Sequence, residues 1–120
     1  MTSVTLYGLP HCTTCQKAEA WLTEQGIAID KFHDLKTDRL SRKEIERLAK
    51  LCGGPEGLFS KIAMQYRARG LHLRDVGPAE MLDLMTEEYT FIRRPVILPN
   101  GGTAAVAGFR EKQVRALLGL

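Results

Sequence analysis

The sequence predicts an α/β domain: a βαβ unit, a block of helices, then two strands and a closing helix. Three observations carry this. Short β-prone runs stand only near the two ends of the chain, helical apolar spacing fills the middle, and glycines and prolines punctuate each change of pattern. At 120 residues, with no internal repeat or low-complexity tract, the chain is expected to be one domain over 1–120.

Val4 to Tyr7 is a short strand that stops at Gly8 and Pro10. A helix follows from Cys15 to Gln25, with Ala18, Trp21, Leu22 and Gln25 at helical spacing and Gly26 as its stop. Ile27 to His33 alternates as a second strand. Ser41 and Glu44 form a capping-box pattern, after which Ile45, Leu48, Ala49 and Cys52 line one helix face up to Gly53-Gly54. Pro55 opens the next helix, whose expected apolar face is Leu58, Phe59, Ile62, Ala63 and Tyr66, with Gly70 closing it. Pro78 opens a third, burying Met81, Leu82, Leu84 and Met85. Pro95 stands at the entrance of a strand over Val96 to Leu98. Pro99-Asn100-Gly101-Gly102 makes a hairpin connection, Thr103 to Ala107 a return strand, and Val114, Leu117 and Leu118 a closing helix. This order fits a thioredoxin-like mixed sheet with a helical insert at about 41–88.

Composition narrows the function classes. Seventeen Lys and Arg against fourteen Asp and Glu give a net charge of +3, too small an excess to demand nucleic acid. No apolar run approaches the ~18 residues of a membrane span, and no secretory pattern opens the chain. Three cysteines, an odd count with one close pair, make a poor secreted disulfide framework. The expectation is a cytoplasmic domain with no membrane association, no cofactor and no metal, whose cysteines are chemical.

Cys12-Thr13-Thr14-Cys15 lies where the first strand turns into the first helix. Unpaired amides and the helix dipole favour negative charge there, which lowers a thiol pKa. Two intervening residues let the second thiol reach the first and close a disulfide. Cys12 is then the attacking thiolate and Cys15 the resolving partner. Half of a zinc site is the competing reading; the further ligands would have to come from Cys52, His11, His33 and His72. Cys52 reads as a small buried hydrophobe on its helix face. His11 flanks Cys12 and, protonated, would favour its thiolate.

Arg93-Arg94-Pro95 is the second constellation. In a thioredoxin-like sheet this strand entry lies beside the cysteine turn. An arginine here can stabilise the thiolate and hold an oxyanion bidentately. Adjacent strand residues face opposite ways, and Arg94 is favoured over Arg93. The basic flank of Lys36, Arg39, Arg42, Lys43, Arg47 and Lys50 is interleaved with acids and lacks aromatics for base stacking, so direct nucleic-acid binding is not expected. Gly53, Gly54 and Gly57 lack the Lys-Ser/Thr of a phosphate loop.

The stretch LYGLPHCTTCQKAEAWL, the Arg93-Arg94-Pro95 triplet and Val106-x-Gly108-Phe109 resemble the arsenate reductase (ArsC)/Spx family over nearly the whole chain. The resemblance implies a thioredoxin fold, a Cys12 nucleophile and a cis peptide at Pro95. In the glutathione- or glutaredoxin-linked reductases, one cysteine works among three arginines. Only Arg94 has its counterpart here; the other two positions fall on Ser60 and Gly108, with Lys61 and Arg110 near enough in sequence to substitute. The histidine four residues before the nucleophile is replaced by Gly8. Each lost charged hydrogen bond costs an arsenate on the order of 1.5–3 kcal/mol.

The Spx-type branch is similar at these same positions: it carries the C-x-x-C as a thiol/disulfide switch, a serine where Ser60 stands and a glycine where Gly108 stands. Its members bind the C-terminal domain of the RNA polymerase α subunit, and their contact glycine matches Gly54. The arginine matching Arg94 senses the redox state of Cys12. The resemblance thus implies a redox switch and transcriptional regulator using a Cys12–Cys15 disulfide. The alternative is an arsenate reductase-like thiol oxidoreductase with Cys12 as nucleophile. Thioredoxin or glutaredoxin is the expected recycling partner, and a monomer the expected state.

Overall fold

A computed structural model describes residues 2–120. Four strands, β1 (Ser3–Gly8), β2 (Ala28–Asp34), β3 (Val96–Pro99) and β4 (Val106–Ala107), form one mixed sheet in the order β2-β1-β3-β4. β1 is parallel to β2 and antiparallel to β3, which is antiparallel to β4. The helices are α1 (Thr13–Glu24), α2 (Arg42–Leu51), α3 (Pro55–Leu58), α4 (Met64–Ala68), α5 (Pro78–Glu87) and α6 (Glu111–Leu118). The result is the thioredoxin-like α/β architecture that the element order predicts. Among the described residues, no helix is long and apolar enough to cross a membrane.

Strand alternation sends side chains into two cores. Val4, Leu6 and Ile97 pack with Leu22 of α1 and Val114 of α6. Val96 and Leu98 point the other way, into a larger core with Leu35, Ile45, Met85 and Phe91. The sheet is therefore a middle layer, with α1 and α6 on one face and the helical insert on the other. The capping box forms as the sequence implies: the Glu44 amide donates to Ser41 Oγ at 3.2 Å, and the Ser41 amide donates to Glu44 Oε1 at 3.0 Å.

Two expectations are corrected. The continuous helix from Pro55 to Gly70 is broken: α3 ends at Leu58 and α4 begins at Met64. Between them the backbone is drawn to a distant partner. Phe59 bridges to Ile92, the Ser60 amide donates to the Phe91 carbonyl at 2.7 Å, and the Arg93 amide donates to the Leu58 carbonyl at 2.8 Å. Phe59 stacks on Phe91 with ring centroids 5.3 Å apart. These ties outweigh the helical periodicity, and Ile62, expected inside, is 95% exposed. The return strand from Thr103 shrinks to Val106–Ala107, because the Ala105 amide donates to the Leu51 carbonyl at the end of α2, at 3.0 Å.

Candidate functional site

β1 delivers the chain into a tight turn in which the Cys12 amide donates to the Leu9 carbonyl at 3.1 Å. Cys12 is the N-cap of α1: its backbone is extended, and Sγ accepts from the Cys15 amide at 3.4 Å. Partial burial pushes its thiol up, but hydrogen bonds from the Cys15 side chain and amide and the charge of Arg94 hold it below the ordinary thiol value. Cys15 is wholly buried. Burial first, and then its hydrogen bond to Cys12, push its thiol up to about 12. The pair is polarised: the outer sulfur is eased toward the thiolate and the inner sulfur keeps its proton.

Gly8 lies against the inner sulfur. A Cβ at this position would stand 2.7 Å from Cys15 Sγ, closer than real side chains approach. The sequence shows Gly8 only as a strand stop; its packing role is carried by a contact across the turn that local pattern does not encode.

Arg94 stands two residues before β3, the strand that pairs with β1. Its peptide bond to Pro95 is cis. One guanidinium nitrogen, Nη1, donates to the carbonyls of Ile92 at 3.0 Å and Thr90 at 3.2 Å, while the buried Nε has no partner. The guanidinium is thus anchored by neutral carbonyls, with its full charge left to act on Cys12. Arg93 donates from Nε to the Phe59 carbonyl at 3.1 Å. Both arginines line a cleft of about 350 Å³ that opens at Cys12.

Ser60, Lys61, Gly108 and Arg110 line that cleft too, so the positions that distinguish the two family branches meet at one place. Ile62 joins them, a residue that helical periodicity had assigned to the interior. His11 is exposed and lies with Cys12 and Arg94 on a second cleft of about 520 Å³.

Other candidates lie elsewhere. Buried His33 has Nε2 2.6 Å from the Asp38 carbonyl and its ring against Tyr7. Cys52 caps the C-terminus of α2, and burial pushes its thiol up to about 11 despite the charge of Arg93. Among the described residues, no three His, Cys, Asp or Glu gather as a metal site. Gly54, with φ of +131°, lines a separate depression beside Glu46, Lys50, Pro55 and Leu82, which shares no residue with either cleft at Cys12.

The model of the ArsC family matches residues 7–117. The global transcriptional regulator Spx 2 of Lactococcus lactis is 30% identical, over 96% of this chain and 86% of its own. The global transcriptional regulator Spx of Streptococcus mutans is 29% identical, over 96% of this chain and 82% of its own. The solution structure of an arsenate reductase (ArsC) related protein from Brucella melitensis is similar at a TM-score of 0.74 and 30% identity, covering 98% of this chain and 96% of that one.

Proposed function

The chain belongs to the ArsC family, and from that premise we propose that it is a thiol-disulfide redox protein, a switch and transcriptional regulator of the Spx type. The observation that carries this reading is the pairing of Cys12 with a fully buried second thiol at Cys15, in space that Gly8 leaves open. The Cys12 thiolate attacks the sulfur of an external disulfide and forms a mixed disulfide, and one thiolate leaves. Cys12 then carries no charge, so its contribution to holding the Cys15 proton disappears. Cys15 passes that proton to the second leaving sulfur and bonds to Cys12. Two electrons have moved from this pair to the external disulfide, and thioredoxin or glutaredoxin returns them.

In this reading the partner is the C-terminal domain of the RNA polymerase α subunit, met at the depression around Gly54. The test is binding of that domain to the reduced protein, the oxidised protein and Cys15→Ser. Binding that follows the Cys12–Cys15 state and is frozen in Cys15→Ser supports the switch; binding indifferent to all three removes it.

A second reading, an arsenate reductase-like oxidoreductase, is favoured by Lys61, Arg94 and Arg110 lining the cleft at Cys12. It predicts arsenate turnover by the reduced protein with glutaredoxin or thioredoxin supplied, abolished in Cys12→Ser.

A further inference from the structure

The break between α3 and α4 that exposes Ile62 also opens a second depression, of about 520 Å³, whose walls include Lys61, Ile62, Met64 and Arg67. It shares Lys61 and Ile62 with the cleft at Cys12, so the two adjoin across these side chains and are taken together as one groove. The charge along it is of one sign. Lys61, Arg67, Arg93, Arg94 and Arg110 line it, and none of the chain's fourteen acidic residues does.

Elsewhere, Arg42, Arg69, Arg74 and Arg115 are each neutralised by a carboxylate. Among the described residues, none of the five groove cations forms an ion pair. Two of the chain's most exposed large apolar side chains stand in the same groove, Ile62 at 95% and Met64 at 89% exposure.

This combination discriminates between ligands. A tetrahedral oxyanion would satisfy Arg94 and its neighbours at Cys12 but would leave Ile62, Met64 and Arg67 uncovered. A ligand that fills the groove must be long, negatively charged and apolar in part. In the redox reading it also carries a sulfur to meet Cys12.

We propose that this groove binds an acidic polypeptide segment of a partner protein, whose disulfide-bonded cysteine is placed against Cys12. The proposal rests on the redox reading above and names the substrate class of that site. The segment lies from Cys12 past Lys61 and over Ile62 and Met64 to Arg67. Cys12 attacks the segment's cysteine sulfur, the other sulfur of that disulfide leaves as thiolate, and Cys15 then releases the segment with a free thiol. The segment's protein is reduced by two electrons, and this chain is left with its Cys12–Cys15 disulfide.

The experiment uses three peptides of equal length, each with one cysteine held as a mixed disulfide with thionitrobenzoate, a coloured leaving group. One is acidic with two apolar residues, one has its acids replaced by lysines, and one keeps the acids but not the apolar residues. The rate of dye release by the reduced protein is followed under second-order conditions. The acidic-apolar peptide is expected to react roughly tenfold or more faster than its lysine counterpart, with the advantage shrinking as salt rises. The double variant Lys61→Glu/Arg67→Glu, both exposed positions, is expected to cut that advantage sharply, because three groove cations then face two carboxylates.

Equal rates for acidic and basic peptides in the wild-type protein overturn the proposal. A neutral small disulfide separates the two levels of inference. If it oxidises the Cys12–Cys15 pair while peptide charge makes no difference, only the substrate class fails. If it does not oxidise the pair, the redox reading itself fails.

Discussion

Replacing Gly8 by alanine tests the arrangement of the two sulfurs most directly. The added Cβ would lie 2.7 Å from Cys15 Sγ but 3.6 Å from Cys15 Cβ, an ordinary contact. The clash is therefore with one atom, and that atom is fully buried on a side chain with a single rotor. Overpacking of this kind costs about 1–3 kcal/mol. Removing the sulfur, as in Cys15→Ala, leaves the space that the new methyl group would fill.

The two changes should compensate, so that Gly8→Ala/Cys15→Ala is more stable than the sum of its parts by about 1–3 kcal/mol. Urea denaturation of the four proteins under reducing conditions measures this coupling from midpoints at constant m. In Gly8→Ala alone, rotation of the Cys15 sulfur away from the methyl should also slow Cys12–Cys15 disulfide formation. A coupling within about 0.3 kcal/mol of zero would refute the reasoning, because it would mean that the sulfur moves aside at no cost.

Other outcomes follow from the same site and its supports. Arg94→Gln removes a positive charge that favours the Cys12 thiolate, so the pH midpoint of Cys12 alkylation should move up and alkylation at neutral pH should slow; an unmoved midpoint would detach Arg94 from the thiol. For Cys52 the folded state favours the neutral thiol, with its value raised from 9.0 to about 11. Its contribution is then fully present below pH 9 and lost as pH rises toward about 11, so the stability difference between wild type and Cys52→Ala should narrow across that window. A difference flat with pH would contradict the burial of that thiol. Ser41→Ala breaks the capping box of α2 and should cost about 1 kcal/mol in urea unfolding, with a loss near zero showing that the cap is dispensable.

What the sequence reveals is what local rules govern. The capping box at Ser41 and Glu44, the helix stop at Gly26 and the placement of the cysteine pair at a strand-to-helix turn are each written within a few residues, and each is found in the fold. The segment from Phe59 to Ala63 is not. Its apolar spacing suits a helix, but the backbone of Leu58 to Ser60, at its start, is claimed by Phe91 to Arg93, some thirty positions away. Periodicity carries no record of such a partner. The same non-local tie brings Ser60 and Lys61 to the cleft at Cys12, so a site wall is least legible where the helix expectation fails. Arg94 could be aimed at Cys12 only by assuming the sheet, since nothing near either residue names the other.

The order in which the chain leaves the ribosome gives the layout of the site a further consequence. Cys12 is made early, in the turn that follows β1, whereas Arg94 and the antiparallel neighbour of β1, β3, come more than eighty residues later. A nascent chain that carries its nucleophile but lacks residues 94–99 has neither the guanidinium nor the strand that holds it in register. Cys12 should then lack the part of its activation that Arg94 supplies, and a chain ending before Arg94 should alkylate there more slowly at neutral pH than the complete one. Reactivity in this protein is thus completed late: the sulfur made first receives the charge of Arg94 only when nearly the whole polypeptide has been made.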